Sequence, residues 1–180
     1  MTERLAPDAM AAYAALHEGV KSGIQASGAS LANAALIGIH TGGAWLAEAL
    51  AADLGIRDLG FLDISFYRDD FSRIGLHPSV RPTDIPFSID DREIILIDDV
   101  LHSGRTIRAA MNALFDWGRP SRIALGVLVD RHGPDDHARE LPIAPTWAGV
   151  RFELPDDSNV VLSRDGGRFA LAIEPRKVRP

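Results

Sequence analysis

The chain has 180 residues, 46% of them hydrophobic, enough for one domain with a sizeable core, and a single domain over 1–180 is the expectation. Its 25 acidic against 19 basic residues leave a formal charge of -6, so no overall positive field steers it toward nucleic acid or anionic lipid. With no cysteine, a disulfide framework, a thiolate nucleophile and a Cys-ligated zinc site are excluded.

The opening MTERLAPDAM has no apolar core of signal-peptide length. No stretch approaches the roughly 20 apolar residues of a bilayer span. A soluble, cytoplasmic protein with no membrane partner is expected. Pro7 stands where a helix can start, and Met10, Tyr13, Ala14, Leu16 and Val20 follow helical spacing up to Gly23. Ala34 to Ile39 is a short apolar run, His40-Thr41-Gly42-Gly43 a turn, and Trp45 to Leu54 a second helical stretch before Gly55. FLDISFY, residues 61–67, alternates and predicts a strand with one exposed face. From Arg68 to Asp84 the chain is polar without clear period, and a loop of that length in a compact domain is usually functional or disordered.

IILIDDVLHSGRT, residues 94–106, then begins as a strand buried on both faces, yet Asp98 and Asp99 stand at its end. Ile107, Ala110, Met111, Leu114 and Phe115 form a helical stripe ending at Gly118. IALGVLVD (123–130) reads as another buried strand, followed by the polar RHGPDDHARE. Strands alternating with helices predict an α/β fold with a parallel sheet. From Trp147 the pieces are short and extended, and VVLSRDGGRFALAI predicts a C-terminal β hairpin across Gly166-Gly167.

Ligands of an open parallel sheet bind outside the carboxyl ends of its strands, which is where Asp98 and Asp99 fall. Next to them, Ser103 to Thr106 open a helix whose backbone amides, with two hydroxyls and a close-approach glycine, suit a phosphate. The carboxylates cannot hold that phosphate; they suit vicinal hydroxyls or a divalent cation. Together the two halves describe a sugar phosphate. A P-loop is excluded, since no G-x-x-x-x-G-K-[ST] exists and the only lysines are Lys21 and Lys177. Gly38, Gly42 and Gly43 do not space as a dinucleotide fingerprint.

IILIDDVLHSGRT resembles the phosphoribosyl-diphosphate (PRPP) motif of the type I phosphoribosyltransferases. Its continuation SGRTIRAAMNALFDWGRPSRI resembles the pyrimidine-operon regulator/uracil phosphoribosyltransferase family, PyrR. LDISFYRDD (62–70), TDIPF (83–87), VLVDR (127–131) and RELPI (139–143) extend the resemblance over roughly residues 10 to 150. It implies a type I phosphoribosyltransferase-like fold: a central parallel sheet flanked by helices, with a small hood, which the loop bearing Arg68, Arg73 and Arg81 matches. It also implies transfer of phosphoribosyl from PRPP to uracil, giving UMP and pyrophosphate, with Mg2+. Asp98 and Asp99 would hold the ribose hydroxyls and, indirectly, the metal. His102, Ser103, Gly104, Arg105 and Thr106 would hold the 5′-phosphate.

His40, Thr41, Gly42 and Gly43 then offer close backbone approach and amide donors to the pyrophosphate, onto which Arg68 would swing during closure. The segment that starts with Val129, Asp130 and Arg131 should lie over the base, while His132 and His137 read equally as surface. The resemblance also implies that no nucleophile is needed, because the oxocarbenium-like transition state of type I enzymes is stabilised by positioning and charge. A homo-oligomer, a dimer, is the expected assembly.

The sequence departs from the family pattern in three places. The pyrophosphate loop often carries an arginine at the positions held here by His40 and Gly42. The chain between VLVDR and RELPI is longer than the pattern. Basic residues that RNA-binding members place after RELPI are replaced by Ala144 and Val150, and DAMAAYAALHEGV has no arginine. RNA binding is dominated by cationic contacts to phosphate, so RNA is a disfavoured partner. An RNA-binding attenuation regulator with little catalysis, supported by Arg119 and Arg122 of GRPSR, and a phosphoribosyltransferase for another base are the alternatives.

Overall fold

The computed structural model describes residues 5–28, 31–64, 83–133 and 139–176. Helix α1 (Ala9–Ala26) starts at Asp8, whose carboxylate accepts hydrogen bonds from the amides of Met10 (2.8 Å) and Ala11 (3.1 Å). It does not stop at Gly23 as the spacing predicts. A Cβ at Gly23 would lie 2.2 Å from Cζ2 of Trp147, so this glycine makes room for the indole rather than ending the helix. Ala9, Ala12, Tyr13, Leu16, Val20 and Ile24 are the buried stripe, and Met10 and Ala14 face outward.

Strand β1 (Ala35–Ile39), buried at every position, leads into α2 (Gly42–Leu54), which ends at Gly55 with a left-handed φ of 67°. The next strand is β2 (Asp58–Leu62), three residues earlier than the alternation at 61–67 predicts. Its ladder with β1 runs from Ala35↔Asp58 to Ile39↔Leu62, so the strand ends where its partner ends. Asp63 then turns away, its amide donating to Oγ1 of Thr83 at 3.1 Å, while Phe61 bridges antiparallel to Asp84. Residues 65–67 of the expected strand, and Arg68, Arg73 and Arg81 of the expected hood, lie outside the described residues.

Strand β3 (Glu93–Leu101) carries Asp98 and Asp99 within its paired length, and α3 (Arg105–Trp117) follows. The inner face of α3 is Ile107, Ala109, Ala110, Ala113 and Leu114; Phe115, expected on that stripe, is exposed. Strands β4 (Arg122–His132) and β5 (Trp147–Glu153) complete a five-stranded sheet of order β2-β1-β3-β4-β5, parallel throughout. The first of the short extended pieces expected from Trp147 onward is β5, which extends the sheet: Trp147 pairs with Gly126.

The hairpin is as predicted. β6 (Ser158–Asp165) and β7 (Arg168–Pro175) close across Gly166 and Gly167, with φ of 52° and 87°. Ile95 and Ile97 of β3 point to a core shared with α1, α2 and the hairpin residues Val160, Leu162 and Phe169. Ile94 and Leu96 point the other way, to a core shared with α3. Helices therefore cover both faces, and the carboxyl ends of β1, β3 and β4 open at one edge. Among the described residues, no helix is long and apolar enough to cross a membrane.

Candidate functional site

At that edge lies a cleft of ≈ 720 Å³. Its floor combines two strand-to-helix turns. After β1, the His40 amide donates to Leu62 O at 3.0 Å, the His40–Thr41 peptide is cis, and the His40 ring stacks on Phe61 at 5.5 Å. The two glycines that start α2 press against β3. A Cβ at Gly43 would lie 2.3 Å from Ile97 O, and one at Gly42 would lie 2.3 Å from Oδ2 of Asp99. The family pattern's arginine at position 42 would thus meet the acidic pair in this backbone.

After β3, Asp98 is buried and its Oδ1 accepts from the Asp99 amide at 3.0 Å; Oδ1 of Asp99 accepts from the Val100 amide at 2.9 Å. Both residues line the cleft, as do His102, Ser103, Gly104 and Thr106. Oγ of Ser103 accepts from the Arg105 amide at 3.3 Å. Gly104 precedes α3 with φ 88°, a left-handed conformation that glycine adopts without strain, and no side chain caps the helix. By helix geometry the amides of Thr106 and Ile107 have no carbonyl partner of their own, and both residues line the cleft.

Arg105 is not brought into the cleft. It is exposed, and its Nε donates to Oε2 of Glu140 at 2.6 Å. Of the three residues expected at the base, only Arg131 lines the cleft. Val129 is buried in the core, and Asp130 accepts from Nε2 of His132 (2.9 Å) and from Arg139 instead. Gly43 is buried beside the floor, and Arg68 lies outside the described residues.

Arg131 is 2% exposed, and its NH2 donates to Pro155 O at 2.8 Å while NH1 stands 3.2 Å from Nδ1 of His102. A guanidinium only donates, so Nδ1 accepts and the neutral imidazole carries its proton on Nε2. Burial, then the charge of Arg131, push the His102 pKa below its usual 6.5. A neutral histidine and a buried cation thus stand side by side at this wall, with Nε2 of His102 3.9 Å from Oδ1 of the exposed Asp156.

The opposite wall comes from Trp45 of α2 and from Asn159 to Leu162 of β6. Sequence reading did not assign these residues to the site, and no local signal marks them. The distance along the chain is closed only by docking the hairpin on the core.

A phosphoribosyl transferase domain model matches residues 11–157 of the chain. The bifunctional protein PyrR of Pseudomonas aeruginosa strain PAO1 is 54% identical over 143 residues, covering 79% of each chain. The bifunctional protein PyrR of Ralstonia nicotianae is 48% identical over 143 residues, covering 77% of this chain and 79% of the relative. Among solved structures, a Leishmania tarentolae HGPRT-ase in complex with GMP superposes with TM-score 0.61 at 18% identity, covering 86% of this chain and 84% of that one, a likeness of fold. The chain belongs to the phosphoribosyltransferase domain family and, within it, to the PyrR proteins.

Proposed function

We propose that this cleft transfers a phosphoribosyl group from PRPP to uracil, releasing pyrophosphate and giving UMP. The observation that carries this reading is the placement of the carboxylates of Asp98 and Asp99 and the uncapped N-terminus of α3 in one cleft. A ribose diol needs acceptors and a 5′-phosphate needs donors, and one strand-loop-helix supplies both.

Asp98 and Asp99 accept hydrogen bonds from the ribose hydroxyls and favour the positive charge that develops on the ring. The amides of Thr106 and Ile107, with the hydroxyls of Ser103 and Thr106, hold the 5′-phosphate; Gly104 contributes its backbone, and Arg105 takes part through its amide, which donates to Oγ of Ser103 and so directs that hydroxyl, rather than through its guanidinium. The backbone of His40 to Gly42 faces the diphosphate, Gly43 lets that turn approach β3 closely, and Arg68 would complete that side. In the reaction the C1–oxygen bond to the diphosphate breaks and takes its electron pair with the leaving group. The base nitrogen bonds to C1 and gives up its proton.

Arg131 and Nε2 of His102 present donors, which match the carbonyl oxygens of uracil; Val129 and Asp130 support that strand from outside the cleft. Two carboxylates with hard oxygen donors fit Mg2+ held mainly by substrate oxygens and water, and Asp98 and Asp99 would hold it in that way. The ion would neutralise the diphosphate.

The relatives are bifunctional by name, which is consistent with a second role beside transfer, and the second reading is an RNA-binding regulator with little catalysis. The charges of this chain support the enzyme. Arg122 pairs with Glu93 at 2.9 Å, and NH1 of Arg119 donates to the carbonyls of Phe115 and Gly118. The two retained cations are thus engaged within the chain.

The test is one preparation assayed twice: nucleotide formation from PRPP, Mg2+ and a panel of bases, and titration of a pyrimidine-operon leader RNA with UMP present beside a scrambled RNA. UMP formation with leader affinity near the non-specific range of about 10⁻⁴ to 10⁻⁶ M is the expected result. Leader-selective binding at about 10⁻⁸ M or tighter would make regulation the primary role, those ranges being scaled from DNA-binding proteins. Turnover of another base in place of uracil would reassign the substrate.

A further inference from the structure

We propose that the segment Arg139–Ile143 is a brace that sets the shape of the phosphate-binding turn, with Glu140 as its positioning residue; this rests on the reading of the cleft given above. The segment touches the turn in three ways. The Leu141 amide donates to Ser103 O at 3.1 Å. Oε2 of Glu140 accepts from Nε of Arg105 at 2.6 Å. Leu141 and Ile143 cover Gly104, where an added Cβ would lie 3.2 Å from Cβ of Leu141 and 3.3 Å from Cδ1 of Ile143.

At its start the same segment is tied to β4, because Arg139 donates to the buried carboxylate of Asp130, the neighbour of the cleft-lining Arg131. One short stretch therefore links the turn that faces the phosphate to the strand that faces the base.

The chemistry of the turn explains why a brace is useful. Gly104 is the most permissive residue available, and α3 has no side-chain cap. Within the turn the Arg105 amide donates to Oγ of Ser103 at 3.3 Å, while the amides of Thr106 and Ile107 are left for a ligand, so few internal hydrogen bonds hold it. The Glu140–Arg105 pair restores that order from outside the cleft. It also draws the guanidinium away from the ligand, so the anion is met by amides and hydroxyls in fixed directions rather than by a flexible cation.

Both side chains of the pair are more than half exposed, at 61% and 55%, so the pair contributes little to global stability and its effect should be local. The full-length chain would be compared with Glu140→Ala, Glu140→Gln and the reversed pair Arg105→Glu/Glu140→Arg. The readouts are amide hydrogen exchange at 103–106, UMP affinity by calorimetry, and KM for PRPP against kcat. Glu140→Ala should speed exchange in the turn and weaken UMP about fivefold, raising KM for PRPP by a similar factor with kcat unchanged. Glu140→Gln, which keeps an acceptor, should lie between, and the reversed pair should recover affinity. Unchanged exchange and unchanged UMP affinity in Glu140→Ala would overturn the brace, as would a fall in kcat alone. If the unaltered protein takes up no UMP, the reading of the cleft falls, and exchange at 103–106 alone decides whether the segment orders the turn.

Discussion

The floor and the far wall of the cleft are built by different means. The floor belongs to the parallel sheet: Ile94 to Ile97 are buried, flanked by ladders on both sides, and the two glycines of α2 lie against the end of the strand, Gly43 at Ile97 and Gly42 at Asp99. The far wall is β6 of a two-stranded sheet that, among the described residues, has no ladder to the main one. An isolated two-stranded hairpin is marginal in water, so its position depends on what it docks against. Here that is Val160, Leu162 and Phe169, the last with its ring 5.3 Å from that of Tyr13 on α1, together with the ion pair of Arg164 and Glu48 at 2.6 Å. A site assembled this way has fixed donors on one side and a separately anchored surface on the other.

The strongest way to break this contrast is Phe169→Ala. Removing a buried phenyl costs about 3 to 5 kcal/mol, and the loss should fall on hairpin docking. Amides of residues 158–175 should lose hydrogen-exchange protection while those of β3 keep theirs. Equal loss in both would mean that wall and floor unfold as one unit.

The floor is probed by its two glycines. At Gly43 the nearest atoms to a new Cβ are backbone, Ile97 O at 2.3 Å and Asp98 Cα at 2.9 Å, so Gly43→Ala should separate α2 from β3. The expected cost is about 1 to 3 kcal/mol in urea unfolding. At Gly42 the obstruction is the Asp99 side chain, which can move. Gly42→Ala should therefore unfold near the unaltered midpoint yet bind UMP more weakly. Similar destabilisation by both would remove the distinction between a structural and a ligand-facing glycine.

A smaller effect is expected from the wall's ion pair. Both partners are partly exposed, so Arg164→Ala should cost at most about 1 kcal/mol, far less than Phe169→Ala. A larger loss would show that charge, rather than the apolar anchor, holds the hairpin.

The same contrast governs what the sequence made legible. Each half of the floor is local in the chain: an apolar run, two carboxylates and a glycine turn before a helical stripe lie within 94–118, the other turn lies at 40–43, and local chemistry names much of what lines the cleft. The hairpin was legible as a hairpin, since Gly-Gly between alternating strands selects that turn. Its role as a wall was not, because docking depends on Tyr13 and α1, far away in the chain. The direction taken by the Arg105 side chain was not legible for a similar reason. Its partner Glu140 is 35 residues away, and a lone arginine in a phosphate motif carries no sign of its direction. Strand β2 was displaced because the alternation at 61–67 is real but the register with β1 decides where pairing ends.

The smallest effect is a pH dependence at the junction of floor and base wall. His102 is held below its usual pKa of 6.5 by burial first and then by Arg131, with Arg176 adding to the fall and Asp156 and Glu140 opposing it. The folded state thus prefers the neutral imidazole, whose Nδ1 accepts from Arg131. Below pH 6.5 the unfolded chain takes up a proton that the folded chain does not, so stability rises with pH in that interval. The contribution is fully present above 6.5 and is lost as pH falls through the lowered folded pKa. Urea unfolding from about pH 5 to 8, within the range where histidine titrates, should show this slope in the unaltered protein and a flatter one in His102→Asn, which keeps an acceptor but does not titrate. UMP affinity should fall over the same acidic interval in the unaltered protein, because protonation removes the Arg131 contact and places two cations side by side. Parallel slopes in the two proteins would show that His102 does not titrate with folding, and the donor assigned to Nε2 at this wall would lose its basis.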